Sequence, residues 1–330
     1  MMITSRTPLR VSFFGGGTDY PEYFQRHRGA VVGMAVDKYI YISTLKLSNF
    51  LQYKYRVSYS KLETVHDAAE IEHPVVRAVL QHYGIDDALD ISVLSDLPSS
   101  SGLGSSSAFT VGLLNLVNAL KSVRMTKLDL GNAAIHVERH LLGERVGVQD
   151  QLHAAFGGIN RFDFVDGRIK ISPIQMTAPG QTTLLDSLVL IYTRINRFAS
   201  ETLDEQLEAT AERRLDNDLG HLLALTDDAV EILEQQEPDR MLAELGTLLD
   251  EGWQIKRRLS SRVSNDDIDQ LYQFARDNGA LGGKLCGAGG GGFLLMLVPP
   301  ERQAALSKIL APTKLVKLGL DTQGSTIIYG

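Results

Sequence analysis

One cysteine, Cys286, stands in 330 residues. That excludes a disulfide framework and a cysteine-rich zinc site. An excess of positive charge is also missing. There are 33 Lys and Arg against 40 Asp and Glu, a net charge of -7 with the signs mixed, so no broad basic face is offered to nucleic acid. A modest negative balance leaves anionic small molecules open, because binding them depends on local groups. No apolar run approaches the ~18 residues of a membrane span. The stretch from Met1 to Gly17 breaks too early for the apolar core of a signal peptide. No internal repeat and no low-complexity tail is visible. With 44% apolar and 22% charged residues, the chain reads as an ordinary globular protein. At this length two domains sharing a cleft are expected, and a cytoplasmic enzyme fits.

What is present is punctuated by glycine. Ile3 to Phe14 alternates like a strand and ends in Gly15-Gly16-Gly17-Thr18-Asp19, a turn where the backbone can approach a ligand. A short helix over 20–27, one or two strands over 30–47, a strand over 51–59 and a helix over 72–83 follow. Leu89 to Leu97 reads as a strand and Phe109 to Leu120 as a buried helix. Thr126 with Asp129 marks the start of a helix running through Leu142. A short helix closes at Gly157-Gly158, and a hairpin turns around Asp166-Gly167. Leu184 to Thr193 is an apolar strand. From Ala199 to about Ser260 the chain is acidic, leucine-spaced and poor in glycine, which predicts two long amphipathic helices broken near Pro238. A third helix covers 266–278, then a glycine-rich loop spans 279–292. A domain boundary is placed near 175–183, where Pro173, Pro179 and Gly180 cluster, giving domains over 1–178 and 179–330.

The stretch from Pro98 to Ala108, PSSSGLGSSSA, lies between a strand and a helix. Glycines permit close backbone approach, and the first amides of a helix are unpaired donors at the positive end of its dipole. The plain alternative is a serine-capped helix after a flexible turn, with Ser105, Ser106 and Ser107 as caps. No lysine completes a Walker A pattern here. Gly287, Gly289 and Gly292 satisfy G-x-G-x-x-G, but with a helix before and a strand after, the reverse of the dinucleotide-binding context. So glycine-rich a loop implies close packing against a ligand or another backbone. Cys286 within it reads as a small packing residue, since no histidine lies nearby in sequence to activate it.

Glu138 falls on the apolar face formed by Gly131, Ala134, Ile135, Leu141 and Leu142. A carboxylate facing a core needs a partner. A buried salt bridge and a magnesium ligand both satisfy that, magnesium taking one or two protein groups plus phosphates and water. Asp150 sits at the start of a short helix. It is either an acid interacting with the dipole or a group that orients or deprotonates a hydroxyl.

Three stretches, PLRVSFFGGGTD (8–19), PSSSGLGSSSA (98–108) and KLCGAGGGGF (284–293), together resemble the three motifs of the GHMP small-molecule kinases, in order and across nearly the whole chain. The resemblance implies an α+β protein of the GHMP kinase fold. Its N-terminal domain would be ribosomal-protein-S5-domain-2-like and its C-terminal domain ferredoxin-like. It also implies ATP with magnesium (Mg2+). Pro98, Ser99, Ser100, Ser101, Gly102, Leu103, Gly104, Ser105, Ser106 and Ser107 would wrap the ATP phosphates. Ser106 and Glu138 match the magnesium ligands, Asp150 the catalytic aspartate and Arg10 the basic residue beside it. Gly16, Gly17, Thr18 and Asp19 match the substrate end of the first motif. Gly287 and Gly289 would support the loops and the bound substrates.

Galactokinase and mevalonate kinase carry Gly-Glu-His where this chain has Gly15-Gly16-Gly17-Thr18-Asp19. The GGGTD form, Tyr20 and the run from Trp253 through Asn265 most resemble the D-glycero-D-manno-heptose 7-phosphate kinases, which phosphorylate an anomeric hydroxyl to give a 1,7-bisphosphate. Fucose-type kinases and an octose-phosphate kinase share the form. A kinase for an unphosphorylated sugar such as fucose and a catalytically silent sugar sensor are the alternatives. A sugar phosphate requires a basic pocket, for which Lys38, Arg28, Arg194, Arg197, Lys256 and Lys284 are candidates. Arg197, in a loop after a buried strand, is the first choice, and a solvated surface charge is the plain reading of each. Neither a nucleic-acid nor a membrane partner is expected.

Overall fold

The computed structural model describes residues 2–48, 50–98, 101–195, 199–235 and 237–330. The chain opens with a long antiparallel pair, β1 (Met2–Phe14) and β2 (Gly29–Lys46), joined through the first glycine turn and the short helix α1 (Pro21–Phe24). β3 (Tyr55–Ser58) and β4 (Leu62–Val65) form a small hairpin. α2 (Pro74–His82) and β5 (Leu89–Ser95) follow, and β5 runs antiparallel to the second half of β2. α3 (Ser105–Leu120) is buried along most of its length against β1 and β2, as its unbroken apolar sequence requires. α4 (Lys127–His136) starts at Thr126, whose hydroxyl accepts from the Asp129 amide. α5 (Gln149–Phe156) packs beside α3 and α4, and β6 (Ile159–Val165) with β7 (Arg168–Pro173) forms the expected hairpin. β6 joins the sheet on the first half of β2, so the one long strand serves two neighbours along the same edge.

α6 (Ala178–Ser187) leads into β8 (Leu188–Tyr192), the first strand of a second sheet. Three helices, α7 (Ala199–Ala211), α8 (Asp216–Leu233) and α9 (Pro238–Lys256), then α10 (Asp266–Asp277), precede β9 (Gly282–Leu285) and β10 (Phe293–Leu297). α11 (Pro300–Ile309) and β11 (Leu315–Lys317) complete a four-stranded antiparallel sheet, order β11-β8-β10-β9. Its core holds Trp253, Ile268, Tyr272, Leu285 and Met296. The final strand, β12 (Thr326–Tyr329), returns to pair with β1 in the first sheet.

Several elements differ from the sequence reading. The acidic stretch holds three helices rather than two, because the chain breaks after Ala211 with Arg213 in the left-handed region (φ 64°). No glycine or proline marks that break. Pro238 opens α9, where its fixed φ suits the first turn. Pro179 and Gly180 lie inside α6, whose N-cap is the Thr177 hydroxyl, so the expected boundary crosses a helix. Gly282 to Leu285 form a strand, not loop, and the last glycine motif therefore joins two strands. The helix over 126–142 changes pitch at Val137 into a π turn that ends at Leu141.

Candidate active site

The two later glycine motifs meet backbone to backbone. A methyl group on Gly102 would lie 2.6 Å from the Cys286 carbonyl oxygen, and one on Gly287 would lie 2.7 Å from the Gly102 Cα. The Phe293 amide donates to the Ser101 carbonyl. The last motif thus buttresses the serine loop, which is why it carries so many glycines. Gly289 packs on Val263 and does not reach the cleft. Cys286 is buried, and burial pushes its thiol up, which leaves it a packing residue.

Above this contact a cleft opens between the two sheets. Gly102, Gly104, Ser105, Ser106 and Ser107 line it, while Ser101 and Leu103 are buried beneath. Pro98 is exposed at the end of β5 and does not line it. Ser99, Ser100 and Arg197 lie outside the described residues. The cap of α3 is Gly104 in the left-handed region (φ 73°), with no side-chain hydrogen bond. Ser105 and Ser106 are therefore not spent on capping, and their side chains face the cleft.

Arg10, on β1, reaches under the serine loop. Its Nε and Nη2 donate to Asp150 Oδ1 and Oδ2 at 2.7 and 2.6 Å, and its Nη1 donates to the Gly102 carbonyl at 2.6 Å. The Arg10 backbone amide donates to the Leu103 carbonyl. The bidentate fork fixes the carboxylate plane. The Arg10 side chain is 6% exposed and that of Asp150 25%, so the aspartate is the partner that meets the cleft.

At the first turn, Asp19 accepts from the Gly17 amide at 3.0 Å and from the Gln149 amide at 3.4 Å. Burial, with the nearby Asp150 charge, pushes its carboxyl up to about 6 against those hydrogen bonds. Gly16, Gly17 and Asp19 line the cleft. Thr18 does not. The single proton of its wholly buried hydroxyl is shared between the Gly15 and Ala30 carbonyls, and the oxygen accepts from the Ala30 amide. It locks the turn, and the sequence expectation of a substrate contact is corrected to that extent.

Glu138 is fully buried, and its partners are neutral. Ser107 Oγ donates to Oε2 at 2.9 Å, and Gln151 Nε2 donates to the same oxygen. Among the described residues no cation pairs with it, so the buried-salt-bridge reading fails. Oε1 is buried and makes no hydrogen bond of its own, and burial pushes the carboxyl up to about 7 against the lowering influence of the neighbouring Thr110, Gln151 and Ser107 side chains. An orphaned buried carboxylate oxygen next to a serine of the phosphate-type loop fits a cation ligand. The π turn aims Glu138 at α3 and α5 while Arg139 and His140 stay at the surface side.

Two lysines complete the cleft. Lys284, on β9, donates to the Phe13 carbonyl at 2.9 Å, and Lys256, at the end of α9, donates to the Leu285 and Gly287 carbonyls. Both are buried, contrary to a solvated surface charge. Arg28 pairs with Asp227 and Lys38 with Asp37 instead, and neither they nor Arg194 line the cleft. Ser12, Gln149, Leu203, Gln206 and Leu259 also line it and escaped the sequence reading. Gln149 sits next to Asp150, a usable signal. Ser12, Leu203 and Gln206 lie on strand and helix faces whose pattern tells only core from solvent, and Leu259 lies in the turn after α9.

Comparison with known proteins follows the same lines. Residues 71–158 match the GHMP kinases N terminal domain model and residues 229–312 the GHMP kinases C terminal model. The chain is 29% identical over 321 residues to a D-glycero-alpha-D-manno-heptose 7-phosphate kinase of Campylobacter jejuni, covering 93% of each chain. It is 24% identical to a galactokinase of Pyrococcus furiosus, over 96% of this chain and 94% of that one. The crystal structure of a D-glycero-D-manno-heptose 1-phosphate kinase from Bacteriodes thetaiotaomicron superposes with a TM-score of 0.79 at 22% identity, covering 99% of this chain and 100% of that one.

Proposed function

The chain belongs to the GHMP kinases, an ATP-dependent sugar kinase among them, and from that premise we propose that it phosphorylates the anomeric hydroxyl of D-glycero-D-manno-heptose 7-phosphate in the cytoplasm. The observation that carries the catalytic part is the Arg10–Asp150 fork, set under the Gly102–Ser107 loop with the aspartate facing the cleft. The heptose part is supported by the full-length likeness to the heptose 7-phosphate kinase and by the GGGTD turn.

Phosphoryl transfer is largely positioning and charge neutralisation. The loop amides and the start of α3 hold the triphosphate. Asp150 accepts the proton of the anomeric hydroxyl as its oxygen bonds to the γ-phosphorus, and the bond to the β-phosphate oxygen breaks to release ADP. Arg10 keeps the Asp150 carboxylate in plane and offers a fixed positive charge to the developing negative one. Asp19 and the Gly16–Gly17 turn orient the sugar. Ser106 and Glu138 would hold magnesium, which when bound neutralises phosphate charge. The orphaned Glu138 Oε1 supports that fit.

The test is ADP release with ATP and magnesium against a panel holding the heptose 7-phosphate, mannose 6-phosphate, fucose and galactose. The heptose 7-phosphate is expected to give the highest kcat/KM. Faster turnover of fucose or galactose overturns the substrate; no turnover with any sugar overturns the catalytic assignment.

A further inference from the structure

Lys256 and Lys284 are 9% and 8% exposed and stand side by side at the cleft. An ammonium has three donors. Lys284 uses one on the Phe13 carbonyl and Lys256 two, on Leu285 and Gly287. Donors remain on both. Among the described residues no carboxylate lies within ion-pair distance of either. The charged and titratable groups facing them are Arg10, already forked to Asp150, the Cys286 thiol, and Asp19, whose oxygens are held by two backbone amides. Two adjacent buried cations with no acid in ion-pair contact are unfavourable unless something else supplies the counter-charge.

We propose that the Lys256–Lys284 pair is the subsite for a phosphoryl group that the sugar already carries, and that it selects a sugar phosphate over the plain sugar. This rests on the sugar-phosphate kinase reading and adds the residues that decide it. The donor phosphates have their own site in the serine loop and the start of α3. Lys284, by contrast, is anchored on Phe13, directly before the Gly15–Gly17 turn, and senses Asp19, so it belongs to the acceptor wall. A phosphate monoester carries about -1.5 to -2 charges at neutral pH, which two ammonium groups balance. Burial pushes both lysines down, Lys284 to about 8, helped by the Lys284 charge at Lys256 and by Arg10 at both. A bound dianion reverses that, so binding takes up protons.

The full chain is titrated calorimetrically with mannose 6-phosphate and with mannose, in the presence of magnesium and a non-hydrolysable ATP analogue. Wild type is expected to prefer mannose 6-phosphate by about 100-fold and to take up protons with it at pH 8.5. Inorganic phosphate should compete with mannose 6-phosphate. Lys256→Met and Lys284→Met should each cut the preference about tenfold or more, with ATP-analogue affinity unchanged. A wild type without the preference overturns the proposal whatever the variants do. So does an unchanged preference in both folded variants, or a loss of ATP-analogue affinity instead, which would assign the lysines to the donor. Because binding is read without turnover, a preference that persists when no sugar phosphate is phosphorylated removes the kinase reading and leaves the subsite standing.

Discussion

Arg10 brings positive charge to the cleft from the first sheet and the Lys256–Lys284 pair from the end of α9 and the second sheet, and the chain treats them differently. Arg10 is closed on itself: a two-pronged bond to Asp150 and a third to the Gly102 carbonyl occupy its fork. The lysines have carbonyl contacts only, and their charge is not balanced by an acid. The difference separates two jobs. A fully paired cation holds geometry that is needed in every turnover. A cation with no acid in ion-pair contact depends on a ligand to complete it. Glu138 stands with the lysines, with one carboxylate oxygen satisfied and one orphaned.

Breaking the paired side should have the largest effect. Asp150→Asn is expected to lower kcat by about 10²-fold or more, the scale of removing a general base, with ATP affinity preserved in equilibrium binding. Unchanged turnover would make Asp150 a helix-end acid. Next comes Glu138→Gln, which keeps the shape of the side chain while removing its charge. The magnesium concentration for half-maximal ATP binding should rise about tenfold or more, since an anionic ligand contributes on the order of 1.5–3 kcal/mol. An unchanged magnesium dependence would show that the orphaned oxygen is not a ligand.

Lys284→Met sharpens the unpaired side without any ligand. Burial holds the Lys284 ammonium at about 8, below its ordinary 10.5. Its stabilising share is therefore present above pH 10.5 and lost as pH falls through 8. Below pH 8 the wild type bears a penalty of up to about 3 kcal/mol that the methionine variant lacks, less about 1 kcal/mol for the Phe13 carbonyl left without its donor. Denaturant melts between pH 7 and 10.5 should show the variant the more stable at pH 7 and the gap closing upward. A variant less stable at pH 7 would mean that the charge is already compensated. The smallest effect is at Thr18→Val, where about 1–2 kcal/mol of stability should be lost with the hydrogen bonds its hydroxyl donates and accepts. The KM for sugar should not move; a raised KM would restore Thr18 as a substrate contact.

Much of this site was legible along the chain because its chemistry is local. Glu138 shows as a charge on an apolar helical face, and the serine loop shows as glycines between a strand and a helix. Other features carry no such mark. The π turn at Val137 needs a change of pitch that residue types do not announce. The break at Arg213 places a bulky residue in the left-handed region without glycine or proline. β9 contains two glycines, which read as loop until Met296 and Leu297 pair with them. Lys256 ends an amphipathic helix, where a lysine usually meets water.

The order of the glycine motifs, the misplaced acid and the amphipathic segments were set by residue types a few positions apart, so the sequence by itself determined the family and the broad α+β plan. Which charges are paired was decided by tertiary structure. Arg10 and Asp150 are 140 positions apart, Lys284 and Phe13 are 271, and burial and partnership at that separation arise only when the two sheets close over a common cleft. The same closure turned the last glycine loop into the support of the serine loop and left two lysines waiting for an anion.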